Sequence, residues 1–427
     1  MRRPASEPAR RHLPHLVRRR PGTGAVTRVP AGPPQPDGWP RSTGARPRGK
    51  GARGGRAPPV LCGARRARTL LVVHELHDAP LAPLTTFRLG GPATRLATAT
   101  TEAELIAAVR AADAEGTPLL LVGGGSNLVI ADEGFDGTAV HIATTGFELD
   151  GTDLEVAAGE TWTDAVAQTV EKGLAGIECL AGIPGSAGAT PIQNVGAYGQ
   201  EVSSTITEVI AYDRRAGETV TVPSAECAFS YRHSRFKADP DRFVVLRVRF
   251  RLEDADGLSA PVRYGETARA LGVDVGDRVP LARARETVLK LRAGKGMVLD
   301  PDDHDTWSAG SFFTNPVLVD EEFAAFHARV VDRLGDDVSF PAFPTGEGRT
   351  KLSAAWLIDK AGFSKGYGPA SGRVSISTKH TLALTNRGGA RTADLLALAR
   401  EVAAGVEDAF GVRLVNEPMT VGCSLWD

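Results

Sequence analysis

Two glycine-rich segments carry the first chemical signal in this chain of 427 residues. Gly123, Gly124 and Gly125 are followed by Ser126 and Asn127 and lie between two short apolar runs. Successive glycines allow backbone N–H groups to converge on an anion such as a phosphate. The segment is neither a P-loop nor a Rossmann fingerprint, because no Gly-Lys-Ser/Thr sequence follows and no helix opens directly from it. Alone, it is more typical of a tight connection.

A second segment, residues 180–199, favours a ligand-binding role for the glycine loops over a simple connection. It contains five glycines, two prolines and no charged residue. Its small residues cannot build a core, and its rigid prolines argue against a long flexible loop. The composition indicates backbone that lies against a large flat ligand, with Gln193 and Asn194 available to the donors and acceptors of a heterocycle.

Hydrophobic periodicity around these loops predicts a mixed α+β body. The clearest helix begins at Thr101, which has capping-box spacing to Glu104, and ends at Gly116. Further predicted helices cover 164–172, 282–291, 321–334, 356–361 and 392–410. Predicted strands cover 119–122, 128–130, 206–212, 218–222, 243–250, 379–386 and 412–415. A seam between two domains is expected near residues 285–295.

The net charge of −1 at pH 7 hides two unlike segments. Residues 1–68 hold 17 of the 50 Lys and Arg residues but only two of the 51 Asp and Glu residues, which leaves 33 basic and 49 acidic side chains in the remainder. The same segment holds 12 of the 28 prolines. Such a composition lacks the apolar surface needed to offset chain entropy, so residues 1–74 are expected to be a disordered basic extension.

This extension has three interpretations. Its arginine clusters could contact nucleic-acid phosphates. It could be an organellar or export address, although its prolines and glycines break an amphipathic helix. The third interpretation, which we favour, is a mis-assigned translation start, because ordinary globular composition begins directly after Val72 and Val73. We therefore expect no nucleic-acid partner.

Two further classes of protein are disfavoured. No apolar run approaches the roughly 20 residues that a membrane-spanning helix needs, so no membrane association is expected. The four cysteines are widely spaced and form no CxxC pair, which argues against a structural zinc site and a disulfide framework. This cysteine usage fits a cytoplasmic protein that needs no metal.

Several motifs follow one another along the chain: TTFRLGGPA (85–93), LLVGGGSNLVI (120–130), GIPGSAGATPIQNVGAYGQEV (182–202), SYRHSRFK (230–237), AGSFFTNP (309–316), KLSAAWLIDKAG (351–362) and NEP (416–418). In this order, from about residue 75 to 427, they resemble the UDP-N-acetylenolpyruvoylglucosamine reductase family. The resemblance implies a vanillyl-alcohol-oxidase/PCMH-type FAD-binding region over 75–285 and a separate α+β substrate-binding domain over 286–415. It also implies a tail, 416–427, that returns to the active site.

The resemblance also implies an activity. Members of this family use non-covalent FAD, with NADPH as hydride donor, to reduce UDP-N-acetylglucosamine enolpyruvate to UDP-N-acetylmuramate in peptidoglycan synthesis. Covalent flavin attachment would need a His or Cys, which the first glycine loop lacks. The residues that the resemblance assigns to FAD are Gly123, Gly124, Gly125, Ser126, Asn127, Gly182, Pro184, Gly185, Ser186, Gly188, Ala189, Thr190, Gln193, Asn194 and Gly196.

Three residues match the catalytic positions of the family. Ser311 matches the proton donor, Arg232 matches the arginine that stabilises the developing enolate, and Glu417 matches a terminal carboxyl group that relays the proton or holds Ser311 or the substrate. Without the resemblance, Ser311 would be taken for an ordinary turn hydroxyl and Arg232 for a solvated surface arginine.

The substrate carries a diphosphate and a carboxylate, so cations and aromatic donors are expected near it. Tyr264 matches the diphosphate-contacting tyrosine of the type I class, and Lys295 matches the basic residue ahead of a Pro-Asp segment. The resemblance also assigns Tyr198, Asn315, Lys351 and His380 to substrate binding, with His380 expected to face the nucleotide. One departure is Met419, where some members carry an arginine.

Two alternatives remain open. Another flavin-dependent oxidase of the same fold, acting on an alcohol or a sugar, would share the glycine loops but has no reason to carry Arg232, Ser311 and Glu417 in these contexts. A nucleic-acid-binding protein would rest wholly on residues 1–68.

Overall fold

The computed structural model describes residues 74–426. The predicted basic extension, apart from His74, lies outside the described residues. The described part contains eight α-helices, which are Glu102–Glu115 (α1), Trp162–Glu171 (α2), Arg235–Ala238 (α3), Gly265–Leu271 (α4), Leu281–Ala293 (α5), Asp320–Leu334 (α6), Ala354–Lys360 (α7) and Thr392–Phe410 (α8).

Twenty strands accompany these helices within residues 74–426. In chain order they are His74–Pro80 (β1), Pro92–Ala99 (β2), Leu119–Val122 (β3), Leu128–Ile130 (β4), Phe135–Ile142 (β5), Phe147–Asp150 (β6), Asp153–Ala157 (β7), Leu174–Ala175 (β8), Gly196–Ala197 (β9), Gln200–Glu201 (β10), Ile206–Asp213 (β11), Glu218–Pro223 (β12), Phe243–Arg251 (β13), Glu253–Asp254 (β14), Val317–Val319 (β15), Ala342–Gly346 (β16), Arg349–Leu352 (β17), Val374–Ile376 (β18), Leu384–Asn386 (β19) and Met419–Val421 (β20).

The first sheet has the order β1-β2-β5-β3, with β1 antiparallel to β2 and the other neighbours parallel. Helix α1 packs on it through Leu105 and Val109, which are fully buried. The predicted capping box is confirmed: the Thr101 side chain accepts the N–H of Glu104, and the helix ends at Gly116 in the left-handed region. The first glycine loop runs from β3, the edge strand of this sheet, to β4, which pairs with β20 instead.

The second sheet is antiparallel, in the order β12-β11-β13-β7-β6. Alternation along β13 sets its two faces, because Val248 and Phe250 are fully buried while Arg249 pairs with Glu155 at 2.5 Å. Helix α2 covers the buried face, where the ring of Trp162 lies 5.7 Å from that of Phe250. The second glycine loop follows β8.

The C-terminal part packs helices α6, α7 and α8 with the small sheet β15-β17-β16. Helix α8 has the predicted bounds, 392–410, and its predicted buried stripe is confirmed: Leu395, Leu396, Leu398, Val402 and Val406 are all at most 4% exposed. Phe87, Leu89 and Val129 belong to the same hydrophobic cluster, so the N-terminal part contributes to this core.

Two predicted strands are wrong. Of residues 379–386, only the segment from Leu384 is a strand, because the Ser377 hydroxyl accepts the N–H groups of Lys379 and His380 and closes a turn. Residues 412–415 form no strand, although the carbonyl of Val415 accepts the N–H of Thr314. Their alternating burial comes from packing on the core rather than from a ladder.

Two connections over long sequence distances join the C-terminal part to strand β4 and to the loop that follows it. Strand β20 runs parallel to β4, with Met419 opposite Leu128. The N-terminus of α8 is capped from the loop after β4: the Asp132 carboxylate accepts the N–H groups of Thr392 and Ala393 at 2.7 and 2.9 Å. The negative charge of Asp132 also interacts favourably with the positive end of the helix dipole.

The described residues include no helix long and apolar enough to cross a bilayer.

We predict that Asp132→Ala lowers the free energy of unfolding by about 1–2 kcal/mol, because two N–H groups of α8 lose their acceptor. The measurement is a urea unfolding curve. Asp136→Ala is the matched control, since Asp136 is also an acidic residue of this region but accepts only one exposed hydrogen bond, from Thr94. Equal unfolding midpoints for the two variants would contradict the capping role.

Candidate active site

The two glycine loops lie in direct backbone contact. A Cβ atom on Gly124 would fall 2.6 Å from the Cα of Gly185, and one on Gly123 would fall 2.3 Å from the Ser186 hydroxyl. Gly125 has φ +55° and a Cβ there would fall 1.8 Å from the carbonyl oxygen of Leu84. Side chains are therefore excluded at this junction, and only glycine allows the two loops to approach.

The first glycine loop presents unused hydrogen-bond donors. Among residues 74–426, the N–H groups of Gly124, Gly125, Ser126 and Asn127 have no hydrogen-bond acceptor. The same is true of the N–H groups of Ile183, Gly185 and Ser186 in the second loop. Backbone donors left unpaired in this way fit an anion, and the phosphates of a flavin nucleotide are suitable acceptors.

A cavity of about 290 Å³ lies beside the two loops. Residues from both loops and from the C-terminal part line it together. Of the residues predicted to hold FAD, those that line this cavity are Ser126, Asn127, Pro184, Gln193 and Gly196. The loops are joined across it, since the Asn127 amide donates to Gln193 Oε1 at 3.2 Å and to the Glu417 carbonyl at 3.3 Å.

Four other residues predicted to hold FAD lie away from the cavity, and three of them, Gly182, Gly188 and Thr190, are buried. Gly188 lies against Ala158, where a Cβ would fall 2.4 Å from the alanine methyl group, and Thr190 donates its hydroxyl hydrogen bond to Ala187. Ala189 belongs to the same short helical turn, and a Cβ on Gly182 would contact Leu289. None of the four lines the cavity.

Asn194, also predicted to hold FAD, has a side chain that is turned inward. It is 1% exposed and its φ is +46°. Its amide donates to Glu201 Oε2 at 3.1 Å and to the Ser230 carbonyl at 3.2 Å, and its Oδ1 accepts the N–H of Ser203. The side chain therefore braces the loop that carries Arg232 rather than facing the cavity.

Arg232 is held by all three of its guanidinium nitrogens. Its Nε donates to Glu417 Oε1 at 2.9 Å, Nη2 to the Gly196 carbonyl at 2.9 Å, and Nη1 to the Asn194 carbonyl at 3.4 Å. The residue has φ +53°, an uncommon conformation for a residue that is not glycine. Both Arg232 and Glu417 line the cavity.

The Glu417 side chain is 13% exposed, and its partial removal from water raises the pKa of its carboxyl group, while Arg232 and Lys237 oppose the shift. Its backbone N–H donates to the carbonyl of Phe312 at 2.8 Å, which places it beside Ser311. Ser311 also lines the cavity, and its hydroxyl makes no hydrogen bond to a described residue. The three residues predicted to be catalytic thus share one cavity.

The other end of the cavity is aromatic and cationic. Lys295 Nζ lies 2.7 Å from Glu266 and 5.4 Å from the ring centroid of Tyr198, which packs edge-on against Tyr264. Tyr264 is 46% exposed, so it stands at the mouth. His380 also lines the cavity, and burial together with nearby Lys295 lowers its pKa to about 4, which leaves a neutral imidazole at pH 7.

Arg292 is a cavity residue that sequence reasoning missed. It is 7% exposed, its Nη2 donates to the Met297 carbonyl, and its Nε has no partner in the described part of the chain. Burial lowers its pKa to about 10. A buried cation without a carboxylate is costly unless an anion joins it. The sequence hides it because α5 also carries Arg283 and Arg285.

Asn315 and Lys351 do not line this cavity. Asn315 Oδ1 accepts the N–H of Ala354, and Lys351 Nζ lies 4.9 Å from the ring centroid of Tyr231.

Met419 is 51% exposed, and its N–H donates to the carbonyl of Asn127. The Met419 side chain therefore supplies no charge at the position where some family members carry an arginine. No group of three potential metal ligands occurs within the described residues.

We predict that Gly125→Ala lowers the free energy of unfolding by roughly 3 kcal/mol or more, because the new methyl group collides with the Leu84 carbonyl. Gly116→Ala is the control: Gly116 also has a positive φ, +67°, but its Cβ would meet nothing within 4 Å. That variant should lose only about 1–2 kcal/mol for backbone strain. Urea unfolding of both proteins tests this, and equal losses would contradict the close approach.

Comparison with known proteins agrees with this architecture. Residues 93–222 match the FAD binding domain family, and residues 300–421 match the C-terminal domain of UDP-N-acetylenolpyruvoylglucosamine reductase. The chain is similar to a solved structure, UDP-N-acetylenolpyruvylglucosamine reductase (MurB) from Thermus caldophilus, at 25% identity and a TM-score of 0.55. That match covers 82% of this chain and 99% of that chain.

Curated relatives are closer in sequence. The UDP-N-acetylenolpyruvoylglucosamine reductase of Streptomyces avermitilis is 80% identical over 359 residues, covering 84% of this chain and 98% of that protein. The enzyme of the same name from Thermobifida fusca is 58% identical over 353 residues, covering 82% of this chain and 98% of that protein. The expected fold class is confirmed by these matches, and the chain belongs to the UDP-N-acetylenolpyruvoylglucosamine reductase family of FAD-dependent oxidoreductases.

Proposed function

We propose that the cavity between the glycine loops and the C-terminal part is where this enzyme reduces the enolpyruvyl ether of UDP-N-acetylglucosamine to UDP-N-acetylmuramate for peptidoglycan synthesis. The observation that carries the proposal is the 2.9 Å ion pair between Arg232 and Glu417 in the same cavity as Ser311. An enolpyruvyl substrate needs an anion-stabilising cation and a proton donor at one place, and this arrangement supplies both.

The two glycine loops are proposed to hold FAD without a covalent bond. The unpaired N–H groups of residues 124–127 and of Gly185 and Ser186 would donate to its phosphates, and Gln193 lies beside them. The flavin held by these residues would supply the hydride chemistry, so that a hydride from NADPH could reach C3 of the substrate alkene.

Arg232 is proposed to stabilise the charge that develops on the substrate. Addition of hydride at C3 leaves negative charge at C2, delocalised into the adjacent carboxylate. Three hydrogen bonds fix the guanidinium, and its remaining N–H groups are free to pair with that carboxylate. Because Arg232 is fixed before the reaction, little reorganisation is needed as the charge forms.

Ser311 is proposed to donate the proton to C2. Its hydroxyl is free of other hydrogen bonds within the described residues, so it can turn toward the substrate. A serine hydroxyl is a weak acid, so the proton it gives must be replaced. The raised pKa of the Glu417 carboxyl group suits it to return that proton, directly or through water.

The diphosphate is proposed to bind at the other end of the cavity. Tyr198, Tyr264, Lys295 and neutral His380 offer donors there, and Arg292 offers a buried charge without a carboxylate partner among the described residues. Asn315 and Lys351 stay predictions from the family resemblance. We also propose the division into an FAD-binding region over 75–285, a substrate-binding domain over 286–415 and a returning tail, in an enzyme of the cytoplasm.

We predict that Ser311→Ala keeps its flavin and is reduced by NADPH at a rate within about twofold of the unaltered protein. Oxidation of the reduced enzyme by the UDP-enolpyruvyl sugar should slow by about 10²–10⁴, because the proton donor is lost. Anaerobic stopped-flow absorbance of the flavin measures the two half-reactions separately.

Ser308→Ala is the matched control for this experiment, because Ser308 lines the same cavity and its hydroxyl accepts only the N–H of Gly310. Equal slowing of both half-reactions in Ser311→Ala would contradict the role as proton donor. Reoxidation of the unaltered enzyme by oxygen alone would instead support an oxidase of the same fold.

We predict that Asn194→Gly retains bound flavin but loses about tenfold in the rate of the oxidative half-reaction, because Arg232 is held less well. Glycine keeps the positive φ and the carbonyl that accepts from Arg232, so the change isolates the side-chain bracing. Flavin absorbance and stopped-flow rates measure the effect. Loss of flavin with normal rates in the fraction that retains it would favour the alternative prediction, in which Asn194 contacts FAD.

A further inference from the structure

A second and larger cavity lies on the other side of the catalytic ion pair. Its volume is about 730 Å³, and the one residue that it shares with the first cavity is Arg232. Its floor comes from helices α6 and α8, through Phe326 and Phe410, whose ring centroids are 6.2 Å apart. Its walls come from the loop at Tyr231 and from the segment after α8.

The walls of the second cavity carry cations. Within residues 74–426, no carboxylate lies within ion-pair distance of Lys237, Arg329 or Arg413. Arg329 donates only to the Asp408 carbonyl at 3.5 Å, and Arg413 stacks 4.5 Å from the ring centroid of Trp426. One carboxylate lines the cavity, that of Glu322, and it accepts the N–H of Val319 at the start of α6.

This local charge is opposite to that of the body as a whole. Residues 69–427 hold 33 basic and 49 acidic side chains, yet the second cavity is lined by three cations without a carboxylate partner among the described residues, Lys237, Arg329 and Arg413. A single carboxylate lines it, together with His233 and Arg232, which is already paired with Glu417. Lys351 adds a further cation at the rim, where it lies over Tyr231. An excess of cations in a concave surface of an acidic protein attracts anions.

The same cavity exposes apolar side chains. Tyr231, Val317 and Val415 line it and are 40%, 41% and 56% exposed. Large apolar side chains left open to water in a concave surface are typical of a binding site. Since they stand between the buried phenylalanine floor and the cationic rim, the cavity is complementary to a molecule with an apolar body and an anionic group.

We propose that the second cavity binds a small organic anion, a carboxylate or phosphate group carried on an apolar body. Arg329 and Arg413 pair with the anionic group, and the apolar body packs against the exposed side chains of Val317 and Val415. This cavity adjoins the cavity of the proposed reduction and shares only Arg232 with it.

The position of Lys237 couples the second cavity to the catalytic arginine. Its Nζ donates to the carbonyl of Arg232 at 3.1 Å, and it lines the second cavity. An anion that draws Lys237 toward itself removes this hydrogen bond from a residue already held at a positive φ. Occupation of the second cavity therefore lowers turnover, a consequence that rests on the proposed function.

The test is calorimetric titration of the full-length, FAD-loaded protein with four probes. Phenyl phosphate and benzoate carry both an anion and an apolar body, inorganic phosphate carries charge alone, and benzyl alcohol carries the apolar body alone. We expect saturable binding of phenyl phosphate or benzoate at one site, with inorganic phosphate and benzyl alcohol weaker by about tenfold or more. The tighter of the first two probes identifies the anionic group.

Variants locate the site. Arg329→Met and, independently, Arg413→Met should weaken the tighter probe by about tenfold, since each removes one charge-assisted contact. Arg333→Met is the matched control, because Arg333 lies on the same helix but does not line the cavity. Lys295→Met should leave binding unchanged.

Three outcomes would overturn the site. They are loss of binding in Lys295→Met but not in Arg329→Met, equal loss in Arg333→Met, and equal affinity for inorganic phosphate and phenyl phosphate. A monomer–dimer equilibrium that Val415→Asp abolishes and phenyl phosphate does not affect would assign this surface to a second copy of the chain.

Steady-state NADPH oxidation tests the coupling separately. The bound probe should lower kcat about twofold or more in the unaltered enzyme and leave Arg329→Met unaffected at the same concentration. Binding with unchanged kcat would overturn the coupling while leaving the site in place. If the proposed function were wrong, the enzyme would fail to reduce the UDP-enolpyruvyl sugar even when no probe is present.

Discussion

The ion pair between Arg232 and Glu417 is the interaction on which the site depends. It joins two residues that are 185 positions apart, and their side chains are 21% and 13% exposed. A charge largely removed from water is tolerated only when its partner and its hydrogen bonds are in place, so everything that holds either residue must be built correctly. The carbonyls of Asn194 and Gly196 hold the arginine, while Asn127 and Phe312 hold the backbone of the glutamate. One pair thereby fixes both glycine loops and the C-terminal tail.

A second constraint comes from the backbone contact between the glycine loops. The approach of Gly124 to Gly185 leaves no room for a Cβ, and the loops have unpaired N–H groups on consecutive residues. Close approach and unpaired donors favour the same kind of ligand, a large anionic nucleotide. The loops can be irregular because two sheets and their helices are rigid on either side of them. The proposed flavin contacts are thus separated from the packing of the core, and the proposed catalytic residues lie between the glycine loops and the C-terminal part.

Short-range patterns in the sequence predicted many of the helices and strands. The helix from Thr101 to Gly116 and helix 392–410 were predictable because capping and apolar periodicity are encoded within a few residues. Residues 379–386 misled the prediction because alternating polarity is also produced by a turn closed through a side chain, here that of Ser377. The inward side chain of Asn194 was not predictable, since its partners Glu201, Ser203 and Ser230 become neighbours only in the folded chain.

By itself, the sequence determined the α+β class, the two glycine loops, the acidic body and, through the resemblance of its motifs, the family. These features depend on composition or on short segments. The tertiary structure decided which matching residues meet: Ser311, Arg232 and Glu417 line one cavity. Asn315 instead lines the second cavity, and Lys351 lies over the ring of Tyr231. It also revealed Arg292, a buried cation that looks like a surface arginine in the sequence. Burial and pairing depend on neighbours that are distant along the chain, and only folding brings these neighbours together.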